Sequence, residues 1–243
     1  MLTEEHVKLY LQAVYLKTKD TRLEHPNVEV VISEQLRDAC IITSLGMNEL
    51  LTALDFKPND LTIEALESFL AELRSIFWLN MQGFVNIRPQ QARKERYPDF
   101  LAALNGKDSA IETFCLTQVH GQKKDEIIGV YKNFDINRKG SKANRDFVAG
   151  AVKKKKQIEN IDVQIRVILC VINSSVLVSL STREGIERDA ELMFKSLNWG
   201  KGYHVGIIVG NISVAYPKII PTPPLQTSYT PLSPLQSLSP LLS

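Results

Sequence analysis

The stretch YPDFLAALNGKDSAIETF, residues 97–114, predicts a β-hairpin, and this hairpin decides the fold. Asn105 and Gly106 form the predicted loop, because both central positions of a type I′ turn need positive φ and these two residue types tolerate it. Pairing the strands outward from that loop sets Asp99 directly opposite Glu112. The sequence therefore predicts two carboxylates that face each other across the hairpin.

Two facing carboxylates need a physical explanation. Cross-strand neighbours have Cβ atoms about 5 Å apart, and two negative charges at that range repel by about 3 kcal/mol at an effective dielectric near 20. A divalent cation between them turns the repulsion into coordination, and Mg²⁺ prefers such hard oxygen ligands. Asp99 and Glu112 are therefore a candidate Mg²⁺ site. The alternative is a pair of exposed acids on an edge hairpin, since a register shift of one residue removes the geometry.

The chain before the hairpin is predicted to be helical. Residues 3–20 and 32–56 carry apolar side chains at helical spacing, so residues 1–56 are expected to form a helical N-terminal region. The sequence KPND then interrupts the pattern, and Asp60 or Thr62 is the expected N-cap of a long helix. One stripe of that helix is apolar: Ile63, Leu66, Leu70, Leu73 and Phe77.

Strands and helices are predicted to alternate after the hairpin. The expected order is a strand at 125–134, a helix at 144–159 capped by Asn144, a strand at 163–173, a helix at 182–198 and a strand at 203–211. That alternation is typical of an α/β layer arrangement with a mixed sheet, which we assign to residues 57–216. Residues 217–243 are rich in Pro, Ser and Leu and are expected to form a flexible tail without a regular ladder.

Composition excludes several classes of protein. Three scattered cysteines lack metal-ligand spacing and argue for a reducing compartment rather than a disulfide framework. The N-terminus is acidic within five residues, unlike a signal peptide, and no apolar stretch is long enough to span a bilayer. We therefore expect a cytoplasmic protein without a membrane partner. Neither a glycine-rich nucleotide loop nor a serine nucleophile elbow is present in the sequence.

The hairpin with its two acids resembles the PD-(D/E)XK nuclease superfamily. The resemblance rests on Pro98 and Asp99, on Glu112 thirteen residues later, and on the helices and strands predicted to follow, and it covers about residues 61–211. That superfamily includes type II restriction endonucleases and DNA-repair nucleases. The resemblance implies a restriction-endonuclease-like mixed β-sheet flanked by helices, hydrolysis of double-stranded DNA with Mg²⁺, and a homodimer acting in restriction-modification.

One position departs from the family pattern. The family's lysine should stand two residues after the second acid, where this chain has Phe114. A lysine there would orient or deprotonate the attacking water and stabilise developing charge, which phenylalanine cannot do. The resemblance implies that a neighbouring strand or helix can supply the cation instead, and Lys132 and Lys153 are the candidates. Otherwise the chain keeps the scaffold and has lost catalysis.

Further polar side chains are candidates for the same site. Superfamily members often add an acid from the helix before the hairpin, and Glu64, Glu67 and Glu72 are available in this chain. The residues alone do not distinguish among these three. Gln118 and His120, just beyond the second hairpin strand, are candidates for phosphate contacts.

Basic side chains cluster on both sides of the hairpin. Residues 138–156 hold eight basic residues against one acid, and such a local field attracts phosphate. The lysine run in this segment is expected on a helix whose Val148, Val152 and Ile158 are buried. The predicted contacts to the DNA backbone are Arg88, Arg93, Arg96, Lys142, Arg145, Lys153 and Lys154.

Three functions remain open on the sequence. The first is a Mg²⁺-dependent endodeoxyribonuclease, which the resemblance implies. The second is a catalytically weakened or inactive protein of the same fold that acts in DNA binding or assembly, for which Phe114 is the best evidence. The third is an unrelated α/β interaction protein in which the two acids are incidental.

Overall fold

A computed structural model describes residues 1–20, 23, 24, 27–91, 97–115, 142–174, 202–211 and 218–220. Within these ranges the chain forms five helices and one mixed β-sheet. The α/β architecture expected from the sequence is confirmed at this level. Among the described helices, none has both the length and the apolar content needed to cross a membrane.

Four helices precede the sheet. They are α1 (Glu4–Thr18), α2 (Val28–Thr43), α3 (Met47–Ala53) and α4 (Ile63–Met81). Helix α2 packs against α1, α3 and α4, and α4 in turn lies against the sheet. The helical N-terminal region expected from the apolar spacing is therefore present, and it supports the sheet through α4.

Helix α4 begins at one of the two expected caps. The Thr62 hydroxyl accepts a hydrogen bond from the Ala65 N–H at 3.2 Å, which satisfies one of the N–H groups that the first turn leaves without a helical partner. Asp60 supports that cap by accepting a hydrogen bond from the same hydroxyl at 2.7 Å. All five residues of the predicted apolar stripe of α4 are buried.

In the described part of the chain, six strands form one sheet in sequential order. They are β1 (Val85–Pro89), β2 (Phe100–Leu104), β3 (Lys107–Cys115), β4 (Ile165–Ser174), β5 (Tyr203–Asn211) and β6 (Lys218–Ile220). Strands β3, β4 and β5 are mutually parallel, and the other neighbouring pairs are antiparallel. Strands β4 and β5 agree with the strands predicted near 163–173 and 203–211.

The Asn-Gly loop has the geometry that the sequence predicts. Asn105 has φ 51° and Gly106 has φ 74°, so both central residues occupy the left-handed region. The register runs from Leu104 opposite Lys107 to Phe100 opposite Ile111. The hairpin and its register are confirmed.

The two faces of the sheet pack against different helices. Thr113 on β3 lies on the α4 face, where its hydroxyl is 3.0 Å from the Ser75 hydroxyl. Glu112 and Phe114 alternate with it and lie on the opposite face, against helix α5 (Lys142–Ile158). The sheet is therefore a middle layer between α4 and α5.

Helix α5 differs from the prediction in its start and its rotation. It begins at Lys142, so Asn144 lies inside the helix and is not its cap. Its sheet-facing side carries Ala151 and Ile158, both fully buried, whereas Val152 is 37% exposed. The expectation that Val152 is buried is wrong, because the small Ala151 faces the sheet instead.

Other expectations fall on or beyond the edges of the described ranges. Strand β6 pairs with β5 at residues 218–220, so the expectation that no regular ladder forms after 217 is wrong for these three residues. They lie between Pro217 and Pro221 and retain their N–H groups. The strand expected at 125–134 and the helix expected at 182–198 lie outside the described residues.

Candidate active site

The two predicted acids lie side by side on the α5 face of the hairpin. Asp99 immediately precedes β2, and its Oδ2 accepts a hydrogen bond from the Thr113 N–H at 2.6 Å. That bond holds the Asp99 carboxylate over β3, beside Glu112, whose side chain is 1% exposed. The facing arrangement expected from the Asn-Gly loop is therefore found in the structure.

A lysine from α5 bridges the two acids. The Lys154 ammonium nitrogen lies 3.2 Å from Asp99 Oδ2 and 2.5 Å from Glu112 Oε2. Its side chain is 18% exposed, so the interaction is largely removed from water. Burying a charge is unfavourable unless partners compensate it, and here the ammonium and the carboxylates compensate one another.

Asp99, Glu112 and Lys154 lie close enough for the charge of one to shift the pKa of another. Burial raises the pKa of Glu112 to about 8, the Asp99 charge adds to the rise, and Lys154 opposes it. Burial alone would lower the pKa of Lys154, but Asp99 and Glu112 raise it above its ordinary value. Lys154 therefore stays a cation over the whole neutral range, and Glu112 takes up a proton readily.

The charges of Asp99 and Lys154 also affect the pKa of an acid on helix α4. Burial raises the pKa of Glu72 well above its ordinary value, and the Asp99 charge adds to that rise while Lys154 opposes it. Glu67 is buried elsewhere on α4, where its Oε2 lies 3.9 Å from the Cys115 sulfur, and Glu64 is exposed. Of the three helix acids that the sequence offered, Glu72 has a pKa that responds to the charges of Asp99 and Lys154.

On α5 the lysine at the acids differs from the candidate proposed for this helix, and the other candidate, Lys132, lies outside the described residues. Lys153 was the candidate on this helix, but it is exposed on the outer side, and Lys154 reaches the carboxylates instead. Lys154 was expected to contact DNA. The error follows from the rotation of α5, because with Ala151 and Ile158 facing the sheet the residue between them at helical spacing is Lys154. Hydrophobic periodicity assigns only apolar residues to the sheet-facing side of a helix. A lysine that faces the sheet is therefore not recognised from this pattern alone.

The remaining candidates divide into three groups. Arg88 is exposed on β1, the edge strand, where a contact to a phosphate is sterically open. Lys142 and Arg145 lie in the first turn of α5, and the structure describes only their backbone. The last group lies outside the described residues: Arg93, Arg96, Gln118, His120 and Lys132.

The donor set fits a hard divalent cation with few protein ligands. In the described parts of the chain, no group of three or more His, Cys, Asp or Glu side chains is close enough to hold a metal ion. Mg²⁺ is commonly held by one or two carboxylates and completes its shell with water and substrate phosphate. Asp99 and Glu112 suffice for that mode, and the Lys154 ammonium between them shows that their oxygens already accommodate a cation.

Comparison of the chain with protein-family models, curated proteins and solved structures finds no match.

Proposed function

We propose that the protein is a Mg²⁺-dependent endonuclease that hydrolyses phosphodiester bonds in DNA. One observation carries the proposal: an ammonium group contacts both acids although the strand position for it holds Phe114. Asp99, Glu112 and Lys154 together have the chemistry that the PD-(D/E)XK resemblance requires. The hairpin, the helix after it and the parallel strand β4 also follow the order on which the resemblance rests.

In this proposal Asp99 and Glu112 hold the metal. Bound Mg²⁺ would activate water and neutralise charge on the phosphate. The Thr113 N–H fixes Asp99 Oδ2, so the carboxylate is oriented before any ligand arrives. Glu112 pairs with Ile168 of β4 and directly follows Ile111, which pairs with β2, so the sheet gives the second ligand a rigid support.

Lys154 acts as a fixed positive charge rather than as a base. Its raised pKa keeps the ammonium protonated, so it donates hydrogen bonds and does not take a proton from water. A preorganised cation next to a reacting phosphate stabilises the negative charge that develops in the transition state. Burial and the Asp99 charge raise the pKa of Glu72 well above its ordinary value, so this carboxyl favours its protonated, neutral form.

Double-stranded DNA is the proposed substrate. Arg88 on β1 and Lys153 and Lys156 on α5 are exposed cations on elements that flank the acids. Such side chains bind phosphates without reading sequence, and the binding weakens with salt. A homodimer and a role in restriction-modification belong to the same proposal and rest on the resemblance alone.

A non-catalytic DNA-binding or assembly protein is the second candidate. Lys154 contacts both carboxylates without a metal, as it would in a purely structural ion-pair network. In that case the replacement of the motif lysine by Phe114 reflects a protein that keeps the fold but has lost catalytic activity. DNA binding without cleavage in the assay below favours this candidate.

Nicking of supercoiled plasmid DNA, with Mg²⁺ or with a chelator, tests the proposal. We expect Mg²⁺-dependent nicking that Asp99→Asn and Glu112→Gln abolish and that Lys154→Met slows by about 10²-fold, a typical cost of losing one preorganised donor. Asp108→Asn and Lys107→Met are matched controls, because these residues are exposed on the same hairpin. Nicking that survives both acid substitutions would overturn the assignment.

A further inference from the structure

Helix α5 contains a glycine where glycine is unfavourable. Gly150 lies in the interior of a 17-residue helix, where it destabilises the helix relative to alanine. A glycine at such a position calls for a packing reason. The structure supplies one, since a Cβ atom built on Gly150 would lie 2.7 Å from both Cδ2 and Cε2 of the Phe114 ring. Only a residue without a side chain lets α5 approach β3 this closely.

The close approach of α5 to β3 at Gly150 also affects the position of Lys154, which lies one helical turn later. Residues four apart lie on the same side of a helix, so Gly150 and Lys154 both face the sheet. Phe114 and Glu112 are two apart on β3 and also share a face. The pair Gly150 and Phe114 therefore lies directly beside the pair Lys154 and Glu112, and the approach of the helix at the first pair sets how deeply the lysine reaches at the second.

We propose that the contact of Phe114 with Gly150 positions Lys154 at Asp99 and Glu112. Phe114 stands on β3 where the family pattern has a lysine. Because Gly150 has no side chain, α5 packs closely against the Phe114 ring, and Lys154 on the same helix then reaches the acids. The catalytic part of this inference rests on the proposed nuclease function. Gly150 and Phe114 are positioning residues, because neither contacts substrate and both act through Lys154.

The first variant to test is Gly150→Ala. The added methyl group overlaps the ring, so the helix or the ring must shift, and a displacement of about 1 Å at a catalytic group can cost about 10²-fold in rate. We expect kcat to fall by at least about 10-fold with KM within about 2-fold, although alanine favours the helix. Gly150→Ala combined with Phe114→Leu makes room for the methyl group, and its kcat should return to within about 3-fold of wild type.

A second test moves the lysine to the strand. Phe114→Lys places an ammonium on the face of β3 that carries Glu112. In a Lys154→Met background we expect this change to recover at least about 10-fold of the lost cleavage rate. Recovery would show that the site requires a cation near the acids. It would also show that Phe114 stands at the other position from which a lysine can supply that cation.

A readout independent of cleavage separates this inference from the proposed function. Urea unfolding of Lys154→Met, Glu112→Gln and the double variant gives the coupling between the two side chains. We expect Gly150→Ala to reduce this coupling by at least half and Phe114→Leu to restore it in that background. Loss and restoration of coupling without cleavage by any variant would retain the positioning role and reject the nuclease. Unchanged coupling with unchanged cleavage in Gly150→Ala would overturn the positioning role and leave the nuclease standing.

Discussion

Lys154 shows how one side chain can decide the charge balance of a buried site. The Lys154 ammonium contacts both Asp99 and Glu112, and it opposes the rise in the pKa of Glu112 that burial and the Asp99 charge cause. Removing one partner of such a group leaves uncompensated charge, which is more costly than never having buried the group. We therefore expect Lys154 to stabilise the two acids in the absence of metal, whatever further role the lysine has.

A histidine on β5 makes the stability of the fold depend on pH. His204 is 8% exposed, and burial lowers its pKa from 6.5 to about 4. The unfolded chain binds a proton at this imidazole near pH 6.5, whereas the folded chain does so only near pH 4. This contribution to stability is therefore complete above pH 6.5 and is lost as the pH falls toward 4.

We expect His204→Leu to flatten that part of the pH profile. Between pH 7.5 and pH 5, wild type should lose about 2 kcal/mol more of its free energy of unfolding than the variant. Urea denaturation at both pH values measures the difference, and all other titrating groups cancel between the two proteins. Parallel profiles for wild type and variant would contradict the burial of this imidazole in its neutral form.

At the scale of elements, the sequence determines the hairpin better than the helix that covers it. The Asn-Gly loop fixes φ and register locally, so the pairing of β2 and β3 was predictable. In the observed rotation of α5, the small Ala151 faces the sheet and the larger, more hydrophobic Val152 faces solvent. Hydrophobicity alone would predict the opposite arrangement. Lysine is almost never an inward residue unless it is paired, and the pairing is visible only in three dimensions.

The end of α5 is held by one arginine. The Arg166 guanidinium on β4 donates hydrogen bonds to the carbonyl oxygens of Ile158 at 3.1 Å, Val163 at 3.1 Å and Ile161 at 2.6 Å. The last carbonyl groups of a helix lack intrahelical partners, and a cation at this end also suits the helix dipole. Arg166 thereby fixes the end of the helix that carries Lys154.

We expect Arg166→Met to destabilise the protein by about 3 kcal/mol, because three charge-assisted bonds to carbonyl groups are lost together. Arg166→Lys should recover less than half of that loss, since an ammonium cannot reproduce the fork of the guanidinium. Arg37→Met is the matched control, because the exposed pair of Arg37 with Glu4 is worth at most about 1 kcal/mol. Urea denaturation measures all three, and equal effects of Arg166→Met and Arg37→Met would contradict this role.

At the scale of the whole molecule, the site depends on both layers that cover the sheet. One hydrophobic core runs from Val7 on α1 through α4 to Ile208 on β5. Helix α4 packs on one face of β3 through the contact between Ser75 and Thr113, while α5 brings Lys154 to the acids on the other face. Cooperative folding of these layers therefore assembles the site, and a ligand bound there should stabilise the molecule as a whole.

Mg²⁺ binding should accordingly raise the melting temperature of the wild-type protein. With a dissociation constant of about 1 mM, 10 mM Mg²⁺ adds about 1.4 kcal/mol, equivalent to about 3 to 5 °C for a chain of this size. Asp99→Asn and Glu112→Gln should abolish the shift because each removes a ligand, whereas Asp108→Asn on the same hairpin should retain it. Differential scanning calorimetry at constant ionic strength measures these shifts without requiring catalysis. A shift of equal size in all four proteins would mean that Mg²⁺ binds elsewhere, and the pair of acids would then be an ion-pair network held by Lys154 alone.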